Sequence, residues 1–296
     1  MKLIRAILLV SIMGSCQGQV NTSRLKTNAD SNTLLWEVSG KGLRSPSYLF
    51  GTFHLMCRSD IHLGESLRTA LKSSKELYLE LDMDDPATTL GAMQLMNMEN
   101  DKSLQDLLGA DDYKRVETYF KDSLKSSLEF FQHMKPVFLE AFLYPKMMPC
   151  KAISGVEDEL MKIAKEEKKE VQGLETMAFQ ASVFDSIPYA DQAKELLRTI
   201  DSIDHYRKYM DTMLMIYKQQ KLPEIESMFS KTEFGVEENQ DILLNNRNKN
   251  WVEQLKTIMQ REPVFVAVGA GHLPGKQGLI ELLRKQGYKV RPIENK

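Results

Sequence analysis

The chain has 296 residues, which corresponds to one large domain or two small ones. Apolar residues make up 42% of it, enough to bury a sizeable core, and this excludes a wholly disordered protein. The formal net charge of −2 provides no electrostatic basis for binding nucleic acid, so we expect no nucleic-acid partner.

The first sixteen residues have the layout of a secretory signal. Lys2 and Arg5 form a short basic region, Leu3–Met13 is almost wholly apolar, and two small residues precede Cys16. The apolar run is shorter than the roughly 20 residues of a membrane-spanning helix. Because of the small residues before Cys16, the segment resembles a bacterial lipobox, in which this cysteine becomes the acylated mature N-terminus. A plain signal peptide with an incidental cysteine is the alternative.

This layout predicts three segments with different roles. They are a signal peptide over residues 1–16, a polar flexible tether over 17–33, and a folded domain over 34–296. We therefore expect an exported protein that is anchored to a bacterial membrane through its N-terminal lipid only. The folded domain then faces the periplasm or the outside of the cell.

The apolar pattern predicts strands near both ends of the domain and helices between them. Helical spacing dominates from about residue 86 to residue 260, and a helix at about Gln277–Gln286 ends at Gly287. The pattern is typical of a helix-rich α/β fold with a long helical insert. The predicted strands, in chain order, are Leu34–Val38, Ser47–Phe53, Leu77–Leu81, a short one near Val171, Pro263–Gly269 and Tyr288–Ile293.

Two segments near the ends of the domain share the same local order. Each has a strand, a G-x-x-H-L motif, a short helix and a second strand, and the motifs span Gly51–His54 and Gly269–His272. Such units form parallel strand pairs, and the carboxyl ends of parallel strands lie at one edge of a sheet. If both units share a central sheet, His54 and His272 emerge at that edge. The alternative is that each histidine only caps a turn.

Two glutamates lie where strands lead toward the same edge. Glu80 belongs to an otherwise apolar strand, where a carboxylate is costly to bury unless it is paired or binds a metal. Glu175 lies just after a glycine, where it either faces the site or caps a helix. His54, His272 and Glu80 form a ligand set that suits Zn²⁺, Mn²⁺ or Co²⁺ with an open position for water. Such a metal makes the bound water nucleophilic at neutral pH.

Arg247 is the third catalytic candidate, with Glu80 and Glu175. It lies in a predicted helix, four residues before Trp251. A guanidinium near two carboxylates can orient them, or it can hold a carbonyl or carboxylate group of a substrate. A surface arginine on a charged helix is the alternative interpretation.

Two cysteines, Cys57 and Cys150, lie in the folded domain. In an oxidising compartment a pair of thiols tends to become a disulfide, so we predict that their Cα atoms lie at most about 7 Å apart. Two buried free thiols are the alternative. A less favoured interpretation makes Cys57 a nucleophile or a metal ligand, because it lies three residues after His54.

Several common catalytic motifs are missing from the sequence. It contains neither G-x-S-x-G, the usual mark of a serine hydrolase, nor H-E-x-x-H, the mark of an ordinary zincin. The segment GAGHLPG has three glycines, but it lacks the lysine of a Walker motif and the spacing of a dinucleotide-binding loop. These absences leave the histidine and glutamate set as the main candidate for chemistry.

The order of the motifs resembles that of the TraB/GumN family, which includes the TIKI proteases and the pheromone-shutdown proteins. The resemblance covers about residues 34–293 and implies an α/β fold akin to the erythromycin-esterase and ChaN-like group. One departure is Glu157 with Asp158, where many relatives read Gly-x-Asp. The matching segments are LLWEVSG, SYLFGTFHL, LYLELD, GVEDEL, VQGLET, NNRNKNW and VAVGAGHLPGKQGLIELLRKQGYKV.

The resemblance also implies roles for individual residues. His54 and His272 match the G-x-x-H histidines of the TIKI branch, which are used with a glutamate in metal-dependent proteolysis. Glu80 matches the strand glutamate, Glu175 matches the glutamate of LET, and Arg247 matches the arginine before the last helix–strand unit.

The sequence therefore predicts an extracytoplasmic metal-dependent hydrolase that acts on a peptide or protein. The main alternative is a non-catalytic protein of the same fold that sequesters a peptide, iron or haem. It remains open because the sequence contains no substrate-specific motif. Esterase chemistry on a small molecule is a third and weaker hypothesis.

Overall fold

A computed structural model of the protein describes residues 32–85, 92–230 and 239–295. The predicted signal peptide, the predicted lipidation site at Cys16 and most of the predicted tether lie outside these ranges. Within the described ranges, no helix combines the length and the hydropathy needed to cross a lipid bilayer. The described part of the chain adopts the α/β fold that the sequence predicts.

Eight strands form the sheets of the described residues. They are β1 (Leu35–Ser39), β2 (Ser47–Thr52), β3 (Met56–Cys57), β4 (Glu76–Leu81), β5 (Ile153–Ser154), β6 (Val171–Glu175), β7 (Val264–Gly269) and β8 (Lys289–Ile293). Six of them build a central sheet in the order β6-β4-β7-β2-β1-β8, and β3 pairs with β5 in a second sheet. The strands whose ends the sequence predicts begin and end within one residue of the expected positions.

The central sheet is mixed. Strands β6, β4, β7 and β2 run parallel, whereas β1 lies antiparallel to both β2 and β8. The strands of each G-x-x-H unit share this sheet but are not paired with each other, because β7 lies between β2 and β4, and β2 and β1 separate β7 from β8. The interpretation that each unit forms a parallel strand pair is therefore wrong.

Strand β7 takes the central place because it is apolar on both faces. Its residues from Val264 to Val268 are at most 1% exposed. Since successive side chains of a strand point to opposite faces, both faces of β7 are covered. β7, which comes late in the chain, thus separates β2 from β4, the two strands of the first unit. Local sequence patterns do not reveal this separation.

Helices fill most of the described chain between β4 and β7, as the sequence predicts. Together with one α-helix before β4 and one after β7, the α-helices of the described residues are α1 (Glu65–Ser73), α2 (Ala92–Leu95), α3 (Leu104–Leu107), α4 (Ala110–Tyr119), α5 (Pro136–Glu140), α6 (Tyr144–Met147), α7 (Val156–Glu166), α8 (Met177–Asp185), α9 (Tyr189–Asp201), α10 (Ile203–Lys218), α11 (Leu222–Ser230), α12 (Asn246–Arg261) and α13 (Leu279–Lys285).

The small sheet of β3 and β5 is absent from the sequence prediction, because two-residue strands have no periodicity to detect. A disulfide joins Cys57, the last residue of β3, to Cys150, and their Cα atoms lie 5.9 Å apart. This separation is within the predicted limit, and Cys57 is neither a free thiol nor a nucleophile. A disulfide that closes a loop of this size typically stabilises a protein by about 2–4 kcal/mol.

Candidate functional site

The residues predicted for the site lie at the carboxyl edge of the parallel strands. β2 and β7 are parallel neighbours, so the segments that carry His54 and His272 leave the sheet side by side. Glu80 lies near the end of β4, which flanks β7 on its other side, and Glu175 is the last residue of β6. Four strands that are distant in the sequence therefore direct their functional side chains to one place.

Both motif glycines are explained by close packing. A Cβ atom on Gly51 would lie 3.0 Å from Cδ1 of Leu273. On Gly269 it would lie 3.1 Å from Nε2 of His54 and 3.3 Å from Oε1 of Glu80. Neither glycine is among the described residues with positive φ. A side chain at Gly269 would therefore intrude between the histidine and the glutamate.

The two histidines converge on a single carboxylate oxygen. Nε2 of His54 lies 3.9 Å from Oε1 of Glu80, and Nε2 of His272 lies 3.8 Å from the same oxygen. The backbone N–H of Gly269 donates a hydrogen bond to this oxygen at 2.8 Å. A cavity of about 20 Å³ lies beside His54, Glu80 and Glu157. Its volume is sufficient for one water molecule.

Arg247 is buried and connects the two glutamates. Its Nη2 atom donates to Glu80 at 2.6 Å and to Glu175 at 2.8 Å, and its Nε atom donates to both Glu175 oxygens at 3.1 Å. Its Nη1 atom donates to the carbonyl oxygen of Leu243 at 3.0 Å and lies 3.3 Å from Nε2 of His272. Each of the three guanidinium nitrogens thus has a protein partner. Arg247 therefore orients the carboxylates, and the interpretation of a surface arginine is wrong.

Each histidine is also held through its other ring nitrogen. Nδ1 of His54 lies 2.6 Å from Oε1 of Glu157, and Nδ1 of His272 lies 2.7 Å from Oδ1 of Asn248. The amide nitrogen of Asn248 donates to the carbonyl oxygens of His272 and Gln277, which leaves Oδ1 to accept from the ring. Because Nδ1 donates in both cases, Nε2 of each neutral ring carries the lone pair, and at His272 the nearest donor to it is Nη1 of Arg247, at 3.3 Å.

Three residues of this arrangement are missing from the site that the sequence predicts. Glu157 and Asn248 hold the histidines, and the amide nitrogen of Gln180 donates to Glu175 at 3.2 Å and to Glu80 at 3.4 Å. Asn248 follows the candidate Arg247 directly, and Gln180 lies five positions after Glu175, so proximity in the sequence could have indicated both. No local signal indicates Glu157, which is 103 positions from His54.

Burial and paired charges shift the pKa values of the glutamates. Burial alone would raise the pKa of Glu80, but Arg247, His272 and His54 outweigh it and hold this pKa far below the usual range. Burial also raises the pKa of Glu175, and there Arg247 offsets only part of the effect. Glu80 is therefore an anion at neutral pH, with its charge directed at the two histidines.

The two histidines differ in their electrostatic environment. Burial would lower the pKa of His54, but the adjacent Glu157 carboxylate outweighs it and raises that pKa above the usual value. For His272, burial together with Arg247 and His54 lowers the pKa to about 3, although Glu80 opposes this shift. The His272 ring is therefore neutral at pH 7, which is the form that binds metals.

The donors fit a divalent metal in kind and approach the required spacing. Ligand atoms about 2.1 Å from a tetrahedral metal lie about 3.4 Å from one another. The two Nε2–Oε1 distances of 3.8 and 3.9 Å exceed this value by about half an ångström. Among the described residues, no three His, Cys, Asp or Glu side chains are close enough to hold a metal as they stand.

The chain matches the model of the TraB/PrgY/gumN family over residues 34–292, from β1 to β8. The chain belongs to the TraB/PrgY/gumN family. The matched segment of this TraB/PrgY/gumN protein includes both G-x-x-H motifs and all the site residues described above.

Several proteins of similar sequence are named as metalloproteases. The chain is 24% identical to metalloprotease TIKI2 of Danio rerio, over 88% of this chain and 61% of that protein. It is 22% identical to TIKI1 of Danio rerio, over 96% of this chain and 68% of that protein, and 21% identical to TIKI1 of Homo sapiens, over 92% and 64%. The chain thus spans about two thirds of the length of these relatives. No solved structure is significantly similar to this TraB/PrgY/gumN chain.

Proposed function

We propose that this protein is a metal-dependent hydrolase that cleaves peptide bonds. The observation that carries the proposal is the convergence of His54 and His272 on Oε1 of Glu80, at 3.9 and 3.8 Å. Two imidazoles with engaged Nδ1 atoms and one anionic oxygen are the donors that catalytic zinc sites use. The names of the TIKI relatives, which are metalloproteases, favour a peptide or protein as the substrate.

In this proposal, His54 and His272 would hold a divalent metal through their Nε2 atoms, and Glu80 would hold it through Oε1. A bound metal supplies a water nucleophile at neutral pH and polarises the carbonyl group that is attacked. The backbone N–H of Gly269 and the guanidinium of Arg247 fix the two oxygens of Glu80. Since Glu80 is held as an anion, it suits the role of a ligand better than that of a general base, whose pKa should lie near the working pH.

The remaining residues keep this arrangement in place. Arg247 and Gln180 contact both Glu80 and Glu175, so the second carboxylate is fixed by the same two side chains. The ring of His272 packs against Trp251 with the centroids 4.5 Å apart, which restricts the rotation of the imidazole. Hydrogen bonds and packing of this kind keep metal-binding side chains oriented before a metal binds.

Metal content and peptide cleavage test the proposal. Untagged protein would be purified, analysed for divalent metals, and incubated with a peptide library with and without a chelator. We expect cleavage that disappears with the chelator and returns with Zn²⁺, Mn²⁺ or Co²⁺. Binding of peptide, iron or haem without any cleavage would contradict the hydrolase proposal and support a sequestering protein. Cleavage that the chelator does not affect would contradict a requirement for a divalent metal in catalysis.

We also propose that the protein is exported and lipid-anchored through Cys16. The basic and apolar layout of residues 1–16 supports this proposal, and so does the disulfide of Cys57 with Cys150, because disulfides persist in oxidising compartments. We expect mass spectrometry of the native protein to find an acylated Cys16 as the first residue. An unmodified N-terminus at another position would contradict lipidation.

A further inference from the structure

The two histidines of the site are held by chemically different partners. A carboxylate contacts Nδ1 of His54, whereas a neutral amide contacts Nδ1 of His272. Asn248 directly follows Arg247 on α12, and both residues are buried. Glu157 comes from α7, and neither the sequence motifs nor the proposed function assigns it a role.

We propose that Glu157 is the positioning residue of His54. Its carboxylate accepts the Nδ1 hydrogen and fixes the ring so that Nε2 is directed at Oε1 of Glu80. The two ring nitrogens lie on opposite sides of the imidazole, so a contact that holds Nδ1 also sets the direction of Nε2. This role in orientation is independent of metal binding, while its consequence for metal affinity rests on the proposed function.

The contact is short and shielded from solvent. Nδ1 and Oε1 are 2.6 Å apart, and the two side chains are 11% and 14% exposed for His54 and Glu157. Little water can compete for either partner at this exposure, and a charge-assisted hydrogen bond is stronger than a neutral one. The geometry therefore restrains the ring more firmly than packing alone would.

The backbone brings Glu157 to the histidine. The N–H of Val156 donates to the carbonyl oxygen of Phe53 at 3.1 Å, which joins the start of α7 to the residue before His54. A Cβ atom on Gly155 would lie 2.8 Å from the carbonyl oxygen of His54, so only glycine permits this approach. The His54 segment and the Glu157 segment are therefore in direct backbone contact.

The small sheet and the disulfide reinforce this contact. β3 begins two residues after His54, and β5 ends three residues before Glu157. The two strands pair in an antiparallel register, and the disulfide joins Cys57 of β3 to Cys150, three residues before β5. These links tie together two segments that are about a hundred positions apart, and they limit how far Glu157 can move from the ring.

The neighbouring Asp158 caps the start of α7. Oδ2 of Asp158 accepts from the hydroxyl of Ser154 at 2.7 Å and from the backbone N–H of Gly155 at 3.1 Å. Asp158 thus stabilises the start of α7. The carboxylate of Glu157 accepts from its own backbone N–H, and its Oε1 contacts Nδ1 of His54.

Substitutions of Glu157 separate orientation from charge. Glu157→Ala removes the acceptor, Glu157→Met removes it while keeping the bulk of the side chain, and Glu157→Gln keeps an oxygen acceptor of the kind that Asn248 provides to His272. Glu159→Ala is the matched control, because this residue lies on the same helix and pairs with Arg58 at the surface.

Two measurements are made on each variant. Nitrogen-15 NMR of the metal-free protein at alkaline pH, where the rings are neutral, reports which nitrogen of His54 carries the hydrogen. Calorimetric titration with Zn²⁺ alone reports the affinity. We expect Glu157→Ala and Glu157→Met to lose the preference for hydrogen on Nδ1 and to bind Zn²⁺ about 10–100-fold more weakly. We expect Glu157→Gln to retain the preference and Glu159→Ala to match the parent protein.

The possible results distinguish the two proposals. Unchanged His54 tautomers in Glu157→Ala or Glu157→Met would overturn the positioning role, whatever the affinity. A parent protein that takes up no divalent metal would overturn the proposed function, while the NMR measurement would still decide the role of Glu157. If Glu157→Ala does not fold, the folded Glu157→Met and Glu157→Gln variants supply the same comparison.

Discussion

Replacing His54 or His272 by alanine is expected to abolish both metal retention and chelator-sensitive hydrolysis. Each substitution removes one of the two imidazoles that face Oε1 of Glu80. The loss of one of three protein ligands leaves an incomplete site with an uncompensated charge. Metal content by elemental analysis and peptide cleavage would be measured on the same preparations.

His133→Ala is the matched control for these two variants. Its side chain is 40% exposed, and its Nδ1 lies 3.1 Å from the carbonyl oxygen of Lys102 and 3.6 Å from Oδ1 of Asp101. We expect it to retain metal and activity. Full activity in His272→Ala would remove the basis of the hydrolase proposal, and full metal content without activity would assign that histidine a role in chemistry alone.

Glu80→Gln distinguishes a ligand from a general base at this position. Because Oε1 of Glu80 faces both histidines and its pKa is held far below the usual range, we expect metal and activity to be lost together. A general base would give a different result, in which metal stays bound and the rate falls by about 10²–10⁴-fold. The same two assays decide between these outcomes.

Replacing Arg247 by methionine is expected to lower the free energy of unfolding by about 3–5 kcal/mol at neutral pH, the usual cost of removing one partner of a buried ion pair. Methionine keeps most of the bulk, so the loss arises from charge. The carboxylates of Glu80 and Glu175 would remain buried without the cation that now contacts both. Urea unfolding of the variant and the parent protein measures the difference.

The loss in free energy of unfolding caused by Arg247→Met should depend on pH. In the parent protein the pKa of Glu80 is lowered on folding, so the stability it contributes is present above its unfolded pKa and is lost as the pH falls through the folded value. Without Arg247, burial and mutual repulsion would raise the pKa of both glutamates in the folded state. Such groups contribute stability at low pH that is lost as the pH rises. The difference in free energy of unfolding between the parent protein and the Arg247→Met variant should therefore increase from acid to neutral pH.

Lys249→Ala provides the control on the same helix. Lys249 lies two positions after Arg247, and its side chain is exposed. We expect it to unfold within about 0.5 kcal/mol of the parent protein, as surface substitutions usually do. An Arg247→Met protein as stable as the parent, with no widening of the difference toward neutral pH, would show that the two glutamates are not buried as charges.

Local information in the sequence was sufficient for the strands and for part of the site. The apolar run of β7 and the alternation of the other strands depend on side chains a few positions apart, so their ends could be predicted closely. Backbone direction is also local: a residue that follows a parallel strand must lie at its carboxyl edge. The convergence of His54, His272 and Glu80 follows from these two facts once the strands share a sheet.

Long-range contacts decided the rest of the arrangement. Strand order depends on which apolar strand is best covered on both faces, and β7 therefore lies between β2 and β4, against the prediction of adjacent pairs. The contact of Glu157 with His54 depends on the close approach at Gly155 and on the pairing of β3 with β5. Side chains over a hundred positions apart carry no shared periodicity, so only the packed fold brings them together.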